Sequence, residues 1–253
     1  MSSLRHDWDA ATYDRVSAPQ VRWGGPVAAR LPLAGDELVL DAGCGTGRVT
    51  EAVLDRLPGG RVIGLDGSAR MVEEARSRLG DGGGRLAFML GDLRRRLPVA
   101  PGQLDAIVST ATFHWLPDHD ALFRNLAEAL RPGGRLEAQC GGAGNIASVM
   151  EALERIAPGE AYPYTFATAE ETARRLKAAG FTEIETWLLE ERTLFPGREE
   201  LESFLATVIL WPQIKDRDPA EHAGFVVRVV DALPVIGLDY VRLNLRAVRA
   251  KRD

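Results

Sequence analysis

The chain has 253 residues, of which 45% are hydrophobic and 26% charged, with a formal net charge of −5. That is the composition of a globular protein with one large core, and the acidic balance argues against a general nucleic-acid binder. No apolar run reaches the roughly 20 residues of a membrane-spanning helix. The first residues lack a signal-peptide core, and Cys44 and Cys140 read as reduced, buried thiols of a cytoplasmic protein.

In chain order, residues 1–30 form an N-terminal helical segment carrying Trp8, Tyr13, Gln20 and Trp23. Leu38-Val-Leu-Asp-Ala42 then has the character of a buried parallel strand. It passes through Asp41 into glycines on alternate positions, Gly43, Gly45 and Gly47. Glycine turns sharply and leaves no Cβ, so a ligand can lie against the backbone. Val49, Val53, Leu54 and Leu57 follow at helical spacing. A strand, a glycine turn and a helix N-terminus make a site for a nucleotide-like ligand.

Arg61–Asp66 is a second strand, and Ser68 caps a helix running to about Leu79. Arg85–Leu90 is the third strand, ending at Gly91-Asp92, and Leu104–Ser109 is the fourth. A helix over Asp120–Leu130 stops at Arg131-Pro-Gly-Gly134, before a fifth strand, Arg135–Gln139. This alternation predicts an α/β, Rossmann-like sheet, mostly parallel, with helices on both faces. Ligands bind such sheets outside the carboxyl ends of the strands, where Asp41, Asp66 and Asp92 stand.

Farther on, Ala169–Ala179 reads as a helix and Phe181–Leu189 as a strand. Glu199–Trp211 and Ala220–Leu233 are helical, and Leu238–Val248 alternates as a seventh strand should. The expected organisation is a core of residues 31–189 and 236–253, with residues 190–235 inserted as a helical lid.

The dinucleotide fingerprint G-x-G-x-x-G fails because Arg48 stands where its third glycine belongs, and no Gly-Lys-Ser/Thr phosphate loop is present. Taken together, Asp41-Ala-Gly-Cys-Gly-Thr-Gly47, Gly64-Leu-Asp66, Gly91-Asp-Leu93, Leu104-Asp-Ala-Ile-Val-Ser109 and Arg131-Pro-Gly-Gly134 resemble the ordered motifs of class I S-adenosylmethionine-dependent methyltransferases. The resemblance covers at least residues 36 to 140. It implies S-adenosylmethionine as the cofactor, S-adenosylhomocysteine as its product, and no metal. Asp41 and the backbone of Gly43, Gly45 and Gly47 would face the methionine portion. Asp66 beside Gly67 would take the ribose diol, and Met71 would pack on the adenine. Asp92 would accept from the adenine amino group, with the Leu93 backbone on the adenine edge and Thr110 closing the site. Trp8 and Tyr13 would approach from the N-terminal segment. Asp41 also reads as a helix N-cap, and Met71 as a core residue.

Two further resemblances concern the methyl acceptor. Tyr13-x-x-x-Ser17-x-x-Gln20 is similar to a pattern near the start of plant carboxyl methyltransferases of the salicylic acid type. Phe113-His114-Trp115 resembles trans-aconitate and juvenile hormone acid methyltransferases in the loop after strand four. They imply that Gln20 and Trp115 hold a carboxylate, which is already nucleophilic and needs no base. His114 offers a rival: a general base for O- or C-methylation of a natural product or quinone. It also reads as a structural loop residue. The lid has an apolar wall of Phe195, Phe204, Ile209, Leu210, Trp211 and Phe225. Arg198, Lys215, Arg217 and Arg228 would either receive further carboxylates of a polyacid or form a solvated face.

His6, His119 and His222 are scattered, and no metal-ligand spacing occurs. The layout is most similar to the trans-aconitate 2-methyltransferase group. It implies a small acid as partner, with no nucleic acid, no membrane, and a monomeric or homodimeric protein. A catalytically silent S-adenosylmethionine-binding protein is the alternative from another class.

Overall fold

A computed structural model describes residues 18–160 and 162–251, with side chains from Trp23 onward. The helix α1 (Ala18–Arg30) leads into β1 (Leu38–Ala42), α2 (Arg48–Leu54), β2 (Arg61–Asp66), α3 (Ala69–Leu79) and β3 (Leu86–Leu90). Next come β4 (Leu104–Thr110), a 3₁₀ turn (Phe113–Trp115), α4 (His119–Ala129) and β5 (Leu130–Gly141). After α5 (Ala147–Ile156) and α6 (Ala169–Ala178) stand two long strands, β6 (Phe181–Leu194) and β7 (Gly237–Arg249). Between them lie α7 (Arg198–Phe204), a π turn (Leu205–Ile209), α8 (Trp211–Ile214) and α9 (Pro219–Asp231).

The seven strands form one sheet in the order β3-β2-β1-β4-β5-β7-β6. The first five strands pair in parallel and β7 runs antiparallel to both its neighbours, so the sheet is mostly parallel. The central strands are apolar because helices cover both faces. Val27, Leu31, Val53, Val72 and Ala75 pack one face from α1, α2 and α3. Leu122, Phe123, Leu126 and Leu176 pack the other from α4 and α6. The helices between β6 and β7 share a third core with α5, Trp23 and Tyr240. Among the described residues no helix is long and apolar enough to cross a membrane.

Four elements differ from the sequence reading, each for a physical reason. Strand β6 extends to Leu194 because it stays paired with β7 as far as Leu194↔Gly237. The helix expected over 199–211 breaks: Leu210 N–H donates to Leu205 O at 2.7 Å, a π-type bond, and Pro212 lacks the donor needed to continue. Strand β5 begins at Leu130, which pairs with Leu104 before the register shifts. The helix α5 has no local start signal. Its first turn is held by Asp239 of β7, which accepts from Ser148 N–H (2.9 Å) and Ser148 Oγ (2.6 Å). By contrast, α6 starts where Thr168 and Glu171 form a capping box.

Arg30, at the end of α1, ties that helix to the sheet. Its Nε donates to Glu137 Oε1 (2.7 Å) and its Nη2 to Asn244 Oδ1 (3.0 Å), with the guanidinium 5.5 Å from the Trp187 ring centre. Burial raises the Glu137 carboxyl above the usual range, and Arg30 opposes that shift. Removing Arg30 would strand a buried carboxylate. We expect Arg30→Ala to lower unfolding free energy by about 3 kcal/mol in urea titrations. A change under about 0.5 kcal/mol would show that the pair holds nothing in place.

Candidate active site

The glycine turn folds back over the end of β2: Gly43 and Cys44 N–H both donate to Leu65 O, at 2.7 and 3.0 Å. Gly43, Gly45 and Gly47 all have positive φ, at 82°, 53° and 84°. Their surroundings differ. A Cβ on Gly43 would stand 2.1 Å from Thr112 Oγ1, and one on Gly47 would stand 2.9 Å from Leu79 Cδ1. These two glycines let neighbouring segments close in. A Cβ on Gly45 would meet nothing within 4 Å, and one on Gly67 would meet only Gly91 O at 3.8 Å. Gly45 and Gly67 therefore leave bare backbone beside open space at the carboxyl ends of β1 and β2.

The three strand-end acids take different roles. Asp66 Oδ2 accepts from Gly45 N–H (2.9 Å) and Oδ1 from Ser68 N–H (2.8 Å), locking the glycine turn to the start of α3. Burial raises its carboxyl above the ordinary range, and these N–H bonds partly offset that. Asp92 accepts a forked pair from Arg94, Nε at 2.9 Å to Oδ1 and Nη2 at 2.8 Å to Oδ2, which holds it below the usual range. Met71 is buried at the start of α3 and Leu93 is buried after β3.

Asp41 is fully buried. Its Oδ2 accepts from Thr50 Oγ1 at 2.6 Å, while Oδ1 has no partner. It thus anchors Thr50, in the first turn of α2, from beneath, while the N-cap position itself is Gly47. Burial, opposed by the Thr50 hydroxyl, pushes its pKa up to about 7. The folded state then binds a proton that the unfolded chain releases near the ordinary carboxylate value. The stability this contributes is present at low pH and is lost as pH rises toward about 7.

After β4 the chain turns through Thr110, Ala111 and Thr112. Ala111 has φ 53°, a strained value for a residue with a Cβ, and its N–H donates to Gln139 O at 2.8 Å. Thr112 Oγ1 donates to Thr110 O (2.9 Å) and meets Gly43 O (3.3 Å), joining the turn to the glycine loop. Phe113 is buried against Phe123, ring centres 6.0 Å apart.

His114 follows, and its backbone and ring are both fixed. Thr165 N–H donates to His114 O (2.8 Å), and Gly141 N–H donates to His114 Nδ1 (3.2 Å). A backbone N–H can only donate, so Nδ1 is the acceptor nitrogen and the neutral ring carries its proton on Nε2. Burial first, then the positive charge of Arg242 and the neighbouring His119, pushes the His114 pKa down to about 3. The imidazole is therefore a neutral donor at physiological pH.

Trp115, half-buried, meets Tyr164 edge-on at 4.3 Å between ring centres, and His114 lies 5.6 Å from Tyr164 and 6.0 Å from Phe166. Tyr164 OH donates to Ile209 O (3.1 Å), which joins this aromatic wall to the π turn. Tyr162, Tyr164 and Phe166 went unread in the sequence. Their alternate spacing, Tyr-Pro-Tyr-Thr-Phe, was the available signal, but it lies outside any strand.

The structure brings Gly43, Gly45, Asp66, Gly67, Thr110, His114 and Trp115 to one end of the sheet. Trp8 and Tyr13, and the side chain of Gln20, lie outside the described residues. The cations expected to serve a polyacid are engaged elsewhere. Arg198 pairs with Glu202 and Asp231, Arg217 with Glu160, and Lys215 lies near Asp216. Arg228 is exposed above Phe225. The buried cation near the site is instead Arg242 of β7, 3% exposed, with Nε toward Gln139 Oε1 (3.4 Å) and its guanidinium 4.2 Å over Trp23. Among the described residues no group of three or more His, Cys, Asp or Glu is placed to hold a metal ion.

Two outcomes check this geometry. Gly45→Ala should fold, with a strain cost of about 1 kcal/mol, yet lose at least about tenfold in S-adenosylhomocysteine affinity by calorimetry. Unchanged affinity would mean the open space is not the ligand cradle. Between pH 4 and 7 the wild type should lose up to about 1.4 kcal/mol of stability per pH unit relative to Asp41→Asn. Parallel stability curves for the two proteins would refute the buried, proton-binding Asp41.

Comparison with known proteins agrees with this arrangement. The family described as a methyltransferase domain matches residues 39–134. The chain is 33% identical over 233 residues to the trans-aconitate 2-methyltransferase of Methylobacterium radiotolerans, covering 87% of this chain and 86% of that protein. It is 35% identical over 241 residues to the protein of that name from Streptomyces coelicolor, covering 89% and 78%. Among solved structures, phosphoethanolamine N-methyltransferase 2 of Haemonchus contortus, in complex with S-adenosyl-L-methionine, has the same fold. The TM-score is 0.68 at 19% identity, over all of this chain and 61% of that one. The chain belongs to the class I S-adenosylmethionine-dependent methyltransferases, in the group of the trans-aconitate 2-methyltransferases.

Proposed function

We propose that the enzyme O-methylates a small carboxylic acid, one resembling trans-aconitate, to give a methyl ester. The observation that carries this reading is the Gly141 N–H bond to His114 Nδ1. It leaves His114 with a proton to donate and no lone pair to receive one. A hydroxyl or carbon acceptor needs a base, whereas a carboxylate needs only orientation and desolvation. The names of the relatives at 33% and 35% identity support the same class of acceptor.

S-adenosylmethionine, when bound, supplies an electrophilic methyl group. Gly45 and Gly67 would let it lie against the backbone, with Asp66 taking the ribose diol, Asp92 the adenine amino group in competition with Arg94, and Met71 and Leu93 beside the base. The N-terminal residues Trp8 and Tyr13 would close over it. Across the crevice, the Trp115 indole N–H and His114 Nε2–H would hold one acceptor oxygen, with the Gln20 amide as a third donor. That leaves the other oxygen facing the methyl group. The helices α7 to α9 would act as a lid, their apolar side excluding water through contacts such as Tyr164 to Ile209. The two thiols, free and buried, suit a cytoplasmic enzyme.

Incubation with labelled methyl donor and a panel of small acids, phenols and amines tests the reading. Acids should take up label that base releases as methanol; base-stable label would overturn it. At saturating cofactor, kcat/KM for the acid should show no histidine titration between pH 5 and 9. Trp115→Phe should lower it about tenfold or more. A rising limb near pH 6.5 that His114→Ala abolishes would restore the general-base mechanism.

A further inference from the structure

We infer that Arg94 is a latch on the adenine subsite: its guanidinium stands on Asp92 in place of the cofactor's 6-amino group, and so sets which purine the subsite takes. The inference rests on the cofactor placement proposed above and adds a residue that competes with it.

A carboxylate offers about four lone-pair sites. At Asp92 a single residue reaches both oxygens. Arg94 donates its backbone N–H (3.0 Å) and Nε–H (2.9 Å) to Oδ1 and its Nη2–H (2.8 Å) to Oδ2, with Nε also 3.1 Å from Oδ2. Arg95 Nε stands farther off, 3.9 Å from Oδ2. While this fork is closed, the acceptor positions of Asp92 are taken by its own turn.

The fork ties no distant parts of the chain together. Residues 92 and 94 belong to one turn, which the backbone already fastens. Arg94 N–H reaches Asp92 Oδ1, and Arg95 N–H donates to Asp92 O at 2.9 Å. Neighbouring elements hold the same turn. Gly91 N–H donates to Asp66 O (2.9 Å) at the end of β2, and Asn125 of α4 donates its Nδ2–H to Leu93 O (3.0 Å). Leu93 is buried, whereas the side chains of Asp92 and Arg94 are each 32% exposed. The backbone is therefore fixed, and the guanidinium is the part with room to turn away.

The latch also stands in the right place. Asp66 pairs with Leu90, two residues before Asp92, and Gly91 O is the one atom that a Cβ on Gly67 would meet. The acids proposed for ribose and adenine thus flank one stretch of bare backbone.

A charge-assisted fork is stronger than a neutral N–H bond, so Arg94 competes well against an amino group. The pair holds Asp92 below the usual carboxylate range and raises Arg94, so both stay charged. Apparent cofactor affinity is then reduced by the fraction of molecules whose fork is open. The closed fork also reverses the polarity of the subsite. Arg94 keeps Nη hydrogens beyond those spent on Asp92, and these suit a purine with an oxygen at C6. Without Arg94, Asp92 would accept from a 6-amino group and repel a 6-oxygen.

Calorimetry of S-adenosylhomocysteine and its 6-oxo analogue, S-inosylhomocysteine, tests this in the wild type, Arg94→Ala, Asp92→Ala and the double variant, with thermal midpoints alongside. Arg94→Ala should bind S-adenosylhomocysteine about fivefold more tightly than the wild type. Its preference for the amino over the oxo ligand should rise about tenfold or more. In the Asp92→Ala background, removing Arg94 should change neither quantity. A merely structural brace predicts the opposite direction, because a loosened turn binds more weakly. Weaker binding or an unchanged preference in Arg94→Ala, with Asp92→Ala still altering the preference, overturns the latch and leaves the cofactor placement standing. Effects of Arg94→Ala that persist without Asp92 overturn the latch as well. If Asp92→Ala alters neither affinity nor preference, the cofactor placement falls and the latch with it. Should Arg94→Ala not fold, Arg94→Lys, which keeps the charge without the fork, decides by the same criteria.

Discussion

Between β1 and β4 the order of winding reverses, so the connections leaving these neighbours run to opposite sides and a crevice opens at their carboxyl ends. The candidate site residues are distributed about that reversal. Toward β2 and β3 the strand ends carry Asp66 and Asp92 beside the glycine turn. Toward β5 and β7 they carry the Phe113–Trp115 turn, Gly141 and Arg242. Under the proposed function, the donor and acceptor halves of the reaction would stand on opposite sides of this gap. Thr112 against Gly43 is the contact that joins them.

Several local rules are broken among the described residues. Ala111 and Ile146 have positive φ despite carrying side chains, Asp41 Oδ1 is buried without a partner, and so is the Tyr162 hydroxyl. Each costs on the order of 1–3 kcal/mol. Large apolar clusters on both faces of the sheet, and the third among the helices between β6 and β7, offset these costs.

Local sequence signals recovered the elements whose causes are local. The glycine turn after β1, the Ser68 cap and the Thr168–Glu171 capping box all write their geometry within a few residues. Non-local causes left no such trace. The helix α5 begins because Asp239, on a strand far along the chain, caps it. Asp41 sits under α2 because Thr50 reaches back to it. Arg242 occupies a polar position of an alternating strand, the pattern of a solvated face. It is buried only because α1 and the helices before β7 cover that face. Arg198 and Arg217, which sequence alone offers as anion receptors, turn out to pair with nearby acids. The residues of the proposed donor site stand in local motifs, whereas those of the proposed acceptor site are brought together by contacts between distant segments.

The account turns on His114 being a neutral donor held by Gly141, not a base. Long-range ¹H–¹⁵N correlation of histidine-labelled protein, with His114→Gln identifying the resonance, reads the tautomer and its titration directly. The account predicts a ring protonated on Nε2 with no titration from pH 5 to 9. Protonation on Nδ1, or a midpoint near the ordinary histidine value, would contradict it.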